Sequence, residues 1–167
     1  MAGCIRALVV IASALLLSGC LAAVAGSVAG GVAGKLLEDD PPEVNLTIQA
    51  SKDLNPNSAG EPSQVVITLY ELKSEGAFNS ASFAEIYQQG SELLGDDLIK
   101  KDEIVIEPGE VKVVARVLDA EARYLGMVAG FRDWQNAKWR GVLATPLDET
   151  IDAQVDLHES KMSLSTK

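Results

Sequence analysis

Thiols and imidazoles, the side chains best suited to nucleophilic, general-base and soft-metal chemistry, are few in this sequence: two cysteines, Cys4 and Cys20, and a single histidine, His158. His158 sits on the polar side of a strand-like stretch near the C-terminus, with no second imidazole to share a metal. A Ser/His/Asp triad gathers residues from distant parts of a chain and is defined by geometry, so one histidine does not by itself signal catalysis. Carboxylates come in short pairs, Asp96 with Asp97, Asp102 with Glu103 and Asp148 with Glu149. They lack the alternating acids and central glycine of an EF-hand loop. A solvated face is the plain reading, and a weak calcium site the alternative. The expectation is a protein that is not an enzyme and that holds no metal. With 14 Lys and Arg against 24 Asp and Glu, the net charge is −10. No nucleic acid is expected as a partner, since that would need a basic stripe.

Cys20 is distinguished by its neighbours. Arg6 supplies one positive charge, an uncharged apolar run follows over residues 7–17, and Leu17, Ser18 and Gly19 lead into the cysteine. This is the layout of a secretory signal segment, and the LSGC tetrad resembles the lipobox of bacterial lipoproteins. Small residues there admit a peptidase that cuts just before Cys20, after the thiol has formed a thioether to diacylglycerol. The freed amine is then acylated. On this reading residues 1–19 are a lipoprotein signal peptide, Cys4 is discarded with it, and Cys20 becomes the sole thiol. An odd cysteine in an exported protein needs an explanation, and lipidation supplies one. The competing reading is an uncleaved signal anchor, because residues 7–34 carry no charge and are long enough to span a bilayer. One acyl chain holds a protein marginally and several hold it firmly, so a triacylated Cys20 needs no transmembrane helix. Leu21, rather than Asp, follows Cys20. By analogy with lipoprotein sorting, that favours the outer membrane.

Residues 20–42 read as the lipidated N-terminus and a Gly/Ala-rich tether, which Glu38, Asp39, Asp40, Pro41 and Pro42 end abruptly. Gly26, Gly30 and Gly34 recur every four residues, a spacing that lets apolar helices pack closely. A linker of small residues is the other reading, since so many glycines weaken a helix. Residues 43–167 then have the length of a single domain with a real core.

Something must position the few polar features of that domain, and its apolar pattern says what. Val44, Leu46, Ile48 and Ala50 alternate with Asn45, Thr47 and Gln49, which is a half-buried strand. Residues 64–72 form a second, with Val65, Ile67 and Leu69 on one face and Val66, Thr68, Tyr70 and Leu72 on the other. Further strands are expected over residues 103–106, 111–118, 124–131, 139–144 and 151–157. Pro108 with Gly109, and Pro146 with Leu147 and Asp148, supply turn chemistry between them. Several short strands at this spacing, mostly without helical crossovers, predict an all-β, two-sheet antiparallel β-sandwich.

One stretch departs from period two. Ser82 and Glu85 make a capping box, and Phe83, Ile86 and Tyr87 share a helical face, so a short helical insertion is expected over residues 83–89. Leu93, Leu94, Leu98 and Ile99 either extend it or form a second turn after Gly95. Such an insertion would cover an open end or edge of the sandwich. Trp134 and Trp139 flank a tight connection; exposed, they are hot-spot residues, while buried, they close a core poor in aromatics. Arg132 and Arg140 would then pair with surface acids. Residues 51–63, SKDLNPNSAGEPS, form the longest marked loop, rich in turn formers and lying between the first two strands.

At this loop the sequence becomes recognisable. LNPNSAGEPSQVVITLYELKS from Leu54, FNSASFAEIY from Phe78, PGE from Pro108 and EARYLGMVAGFRDWQNAKWR from Glu121 stand in order. With the lipobox at Cys20 they resemble the TssJ (SciN-like) outer-membrane lipoprotein family of type VI secretion systems. The resemblance implies a transthyretin-like β-sandwich with an added helix, lipid-anchored in the outer membrane and facing the periplasm. It implies no cofactor beyond the covalent lipid on Cys20. The implied partner is the periplasmic C-terminal region of the IcmF-like (TssM-type) inner-membrane protein, met by the loop between the first two strands. Here that loop offers Lys52, Asp53, Leu54, Asn55, Pro56, Asn57, Glu61 and Pro62. Leu54 would be its apolar anchor, Lys52, Asp53 and Glu61 its rim charges, and Pro56 and Pro62 would limit the freedom lost on docking. A periplasmic ligand-binding or chaperone lipoprotein is the alternative function, and an enzyme with a scattered site a further one.

Overall fold

Period-two alternation organises the chain from Glu43 onward. The computed structural model describes residues 40–167. Cys20, the signal segment and the tether with Gly26, Gly30 and Gly34 lie outside the described residues. The strands are β1 (Glu43–Ala50), β2 (Val65–Leu72), β3 (Leu98–Ile106), β4 (Val111–Val117), β5 (Tyr124–Ala129), β6 (Arg140–Ala144), β7 (Thr150–His158) and β8 (Lys161–Thr166). They form two four-stranded sheets, ordered β4-β1-β7-β8 and β3-β2-β5-β6. The inner faces meet in one core. Leu46, Ile48, Val155 and Leu157 of the first sheet pack with Ile67, Leu69, Ile106, Leu125 and Met127 of the second, all essentially inaccessible to water.

The β-sandwich expected from the alternation is therefore present, with one refinement. β1 and β7 run parallel, from Glu43 opposite Thr150 to Ala50 opposite Leu157, while every other neighbouring pair is antiparallel. Parallel neighbours need a long connection to return the chain to its starting end. Here five strands and two helices supply it.

Sheet two is covered on both faces, which explains why β2 reads as a nearly unbroken apolar run. Ile67 and Leu69 face the sandwich core, while Tyr70 and Leu72 face two helices, α1 (Gly76–Ser80) and α2 (Phe83–Leu94). Phe78, Ala81, Phe83, Ile86 and Leu94 complete this second cluster with Val128. The helical insertion thus covers the outer face of a sheet, not an open end or edge, because Tyr70, Leu72 and Val128 are apolar on that face. Close approach is made possible at Gly126, where a Cβ would lie 2.8 Å from the Phe78 ring. Ser82 caps α2 as expected: its hydroxyl accepts from the Glu85 amide, and Glu85 answers at the Ser82 amide at 2.8 Å. α2 runs on to Leu94 past a kink at Gln89. There the buried Tyr70 hydroxyl donates to the Ile86 carbonyl at 3.2 Å, and burial pushes its pKa up to about 12.

Several boundaries differ from the sequence reading. β3 begins at Leu98, so Leu98 and Ile99 open a strand and do not extend the helix; backbone pairing with β2 as far as Leu72 recruits charged Lys100 and Lys101 into it. α1 and β8 carry patterns too short or too polar to register in the sequence. β8 is made by pairing, folding back on β7 through a turn in which Glu159 has φ of 50°.

Candidate functional site

Four connections converge at the end of the sandwich where β1 finishes: residues 51–64, the β3–β4 turn, the β5–β6 connection and the β7–β8 turn. Their convergence is recorded in hydrogen bonds. The Ser51 amide donates to the Leu157 carbonyl at 2.8 Å, and the Gly109 amide to the Ser51 carbonyl at 3.0 Å. The Asn55 amide donates to Glu159, and the Lys138 amide to Ser160.

Asn55 is the centre of this arrangement. It is buried with φ of 48°, a conformation that Asn tolerates better than most residues. Its carboxamide donates to the Gln64 carbonyl at 2.7 Å and accepts from the Arg132 amide at 2.8 Å, tying the loop to the β5–β6 connection. Ser63 donates to the Asn55 carbonyl at 2.7 Å and accepts from the Arg132 guanidinium at 3.0 Å. Leu54 is fully buried in the main core. It cannot be a partner's apolar anchor; it is the core plug from which the loop hangs.

Beyond these two residues the loop is exposed yet internally bonded. The Asn57 side chain accepts from the amides of Ala59 and Glu61, both at 2.9 Å, and donates to the Glu61 carboxylate at 2.9 Å. The Asn57 amide donates to the Glu61 carbonyl, and Gly60 closes the turn with φ of 81°. Pro56 and Asn57 are half-buried, while Glu61 and Pro62 are open to solvent. Lys52 and Asp53 lie exposed at the loop's base. Ser51 donates to the Asp53 carboxylate, which holds its pKa below the ordinary 3.8, and His158 Nε2 lies 3.7 Å from the same carboxylate. Ligand atoms of Asp53, His158 and Glu159 all lie within 4.8 Å of one another, on exposed side chains.

An aromatic stack borders this end. Phe83 lies between Tyr87, at 5.0 Å, and Trp134, at 5.3 Å, with Trp139 edge-on at 5.2 Å. Trp139 packs against both hydrophobic clusters, whereas Trp134 stays 40% exposed. Arg132 and Arg140 do not pair with surface acids as expected. Arg140 crosses the Trp139 ring at 4.4 Å and donates to the Phe78, Asn79 and Ala81 carbonyls, satisfying the open end of α1.

At the opposite end, the described chain begins. The Asp40 amide donates to the Asp148 carboxylate at 2.6 Å, and the Leu118 amide to the Pro42 carbonyl at 2.9 Å.

Residues 42–160, with this fold and this loop arrangement, match the family model described as "Type VI secretion lipoprotein, VasD, EvfM, TssJ". The chain belongs to this family. TssJ1 of Pseudomonas aeruginosa, a T6SS lipoprotein of known crystal structure, is 34% identical, with a TM-score of 0.73 over 76% of this chain and 97% of its own. Serratia marcescens Lip, described as a membrane-bound component of the Type VI Secretion System, is 21% identical with a TM-score of 0.68 over 75% and 98%, a likeness of fold alone. A chain in a structure described as the T6SS protein TssM C-terminal domain from EAEC is 26% identical, with a TM-score of 0.62 over 74% and 98%. No curated protein matches at a significant level. The type VI secretion lipoproteins are not a family of enzymes, in keeping with the sparse chemistry of the sequence.

Arg132, Ser63 and Glu159 hold the loop of this family member in place, and sequence reasoning did not find them. Arg132 and Glu159 are far from Asn55 in the chain, so nothing local marks the contact. The one available signal was Asn55 before Pro56, a residue type suited to positive φ ahead of a fixed turn.

Proposed function

We propose that this lipoprotein is anchored in the outer membrane through a triacylated Cys20 and tethers the envelope-spanning secretion complex by binding the periplasmic C-terminal region of its IcmF-like (TssM-type) inner-membrane protein. The contact is made by the loop of residues 51–63, through Lys52, Asp53, Pro56, Asn57, Glu61 and Pro62, with Leu54 and Asn55 holding it in shape. One observation carries this reading: the loop is prefolded and exposed at the end of the sandwich farthest from Asp40, where the described chain begins. A prefolded loop loses little freedom on docking, and its place lets it reach away from an anchored membrane. The relative described as a TssM C-terminal domain structure supports the choice of partner. Replacing residues 58–62 with Gly and Ser at equal length removes the tip and leaves Leu54 and Asn55 untouched. Calorimetry against the partner's periplasmic domain should show clearly weakened binding, with stability unchanged to within about 0.5 kcal/mol, as for most surface substitutions. Unaltered affinity would move the contact elsewhere on this end, to Trp134 and its neighbours first. Cys20→Ser should release the protein from the membrane fraction, and mass spectrometry finding an unmodified Cys20 in the wild type would refute the anchor.

A further inference from the structure

His158, the single imidazole of the chain, stands at the end of β7, with Glu159 in the turn that follows. Asp53 stands at the base of the first loop. The sequence offers His158 no second imidazole, and its neighbours in the chain do not reveal a metal site. The fold brings it a carboxylate from a remote segment instead. Two main-chain bonds join the segments: the Ser51 amide donates to the Leu157 carbonyl and the Asn55 amide to the Glu159 carbonyl, both at 2.8 Å. Ser51 and Asn55 bracket Asp53, and Leu157 and Glu159 bracket His158. The backbone beneath both side chains is therefore set by the fold.

The spacing of the donor atoms suits a small ion. His158 Nε2 lies 3.7 Å from Asp53 Oδ2. Two ligands each about 2.1 Å from a tetrahedral zinc ion are about 3.4 Å apart, so this pair needs to close by only a few tenths of an ångström. The other Asp53 oxygen, Oδ1, accepts from the Ser51 hydroxyl, which leaves Oδ2 for the imidazole side. Hydrogen bonds of that kind orient ligating carboxylates. Glu159 supplies a third oxygen within 4.8 Å of the other two ligand atoms, on a rotatable side chain that can close the remaining gap. All three side chains are exposed, so an ion reaches them directly from solvent.

We propose that Asp53, His158 and Glu159 bind a zinc ion at the base of the first loop, with the fourth position taken by water. The donor set selects the ion. Calcium and magnesium take oxygen ligands, whereas an imidazole beside carboxylates suits zinc. Bound there, the ion would fasten the loop base to the β7–β8 turn by bonds that the free domain lacks. Asp53 is also among the loop residues proposed to meet the partner, but the site forms without a partner and its test contains none.

The test uses the full chain in detergent, without a polyhistidine tag, so that His158 remains the only imidazole. Calorimetric titration with zinc chloride should show one ion bound per chain. The His158 ring resonances should shift along the same titration, which separates this site from binding at a thiol. His158→Ala, Asp53→Asn and Glu159→Gln should each weaken binding roughly tenfold or more. These side chains are exposed, so the variants should keep the wild-type circular dichroism spectrum. Asp133→Asn removes an exposed acid of the same end outside the group and should bind zinc as the wild type does. Zinc should raise the unfolding midpoint of the wild type and leave that of His158→Ala unmoved. Binding no tighter than about 1 mM would mean an adventitious ion only and would overturn the proposal. So would affinity unchanged in His158→Ala, still ring resonances, or calcium displacing zinc at equal concentration, which would reduce the group to a solvated acidic face.

Discussion

Leu54→Ala separates the two roles that the first loop residues can have. Were Leu54 a docking anchor, truncation would weaken partner binding and leave the free domain as stable as before. Its side chain is instead fully buried in the main core. Removing a buried leucine to alanine costs about 3 kcal/mol, from lost transfer energy and the cavity left behind. Unfolding entropy near 60 °C is about 2.1 cal/mol/K per residue, hence about 0.27 kcal/mol/K for roughly 130 residues. The midpoint should therefore fall by about 11 °C. Differential scanning calorimetry of the two proteins side by side gives the shift, and urea unfolding gives the free energy independently. Because the loop hangs from this residue, hydrogen exchange at the Asn55 and Ser63 amides should also quicken. A shift below about 2 °C would correspond to less than about 0.6 kcal/mol on the same scale and would refute the burial argument.

Asn55→Gly keeps the left-handed backbone but loses both side-chain bonds, whereas Asn55→Ala loses the bonds and adds strain of about 1 kcal/mol at φ of 48°. Alanine should therefore be the less stable in chemical denaturation, with faster exchange at the Arg132 amide in both. Gly126→Ala places a methyl 2.8 Å from the Phe78 ring and should cost about 1–3 kcal/mol, measured by urea unfolding. Acid should destabilise the domain through named carboxylates. The Arg116 hydrogen bond holds Asp102 below 3.8, and the Ser82 hydroxyl holds Glu85 below 4.5. A carboxylate whose folded pKa is depressed contributes stability above its unfolded value and loses it as pH falls through the folded one. Midpoints should thus be flat from neutral to about pH 5 and decline below about 4.5, with Arg116→Gln removing the Asp102 part of the decline.

Much of the architecture was legible because alternating burial is a local property. Val44 to Ala50 shows which side of β1 faces the core without knowing what lies there, whereas the apolar residues on both faces of β2 did not by themselves say that helices cover the second face. The capping box at Ser82 and Glu85 needed only its own four residues. What lay beyond was decided by pairing. β8 is a strand because β7 offers it a ladder, and Lys100 and Lys101 lie in β3 because β2 extends alongside them.

For the loop, the amino-acid types alone determined that residues 51–63 turn repeatedly and cannot continue a strand or start a helix, since Pro, Gly and Asn restrict the backbone locally. They also determined the acidic balance and the thiol at position 20, which need no fold to be read. Only the tertiary structure decided which of those residues face a partner and which face the core. Leu54 has the same side chain in either role; its burial depends on Leu157, Ile106 and the other residues of a core assembled from distant strands. The bonds from Asn55 to Arg132 and Glu159 join three connections that meet only once both sheets have stacked, so no window of sequence contains them.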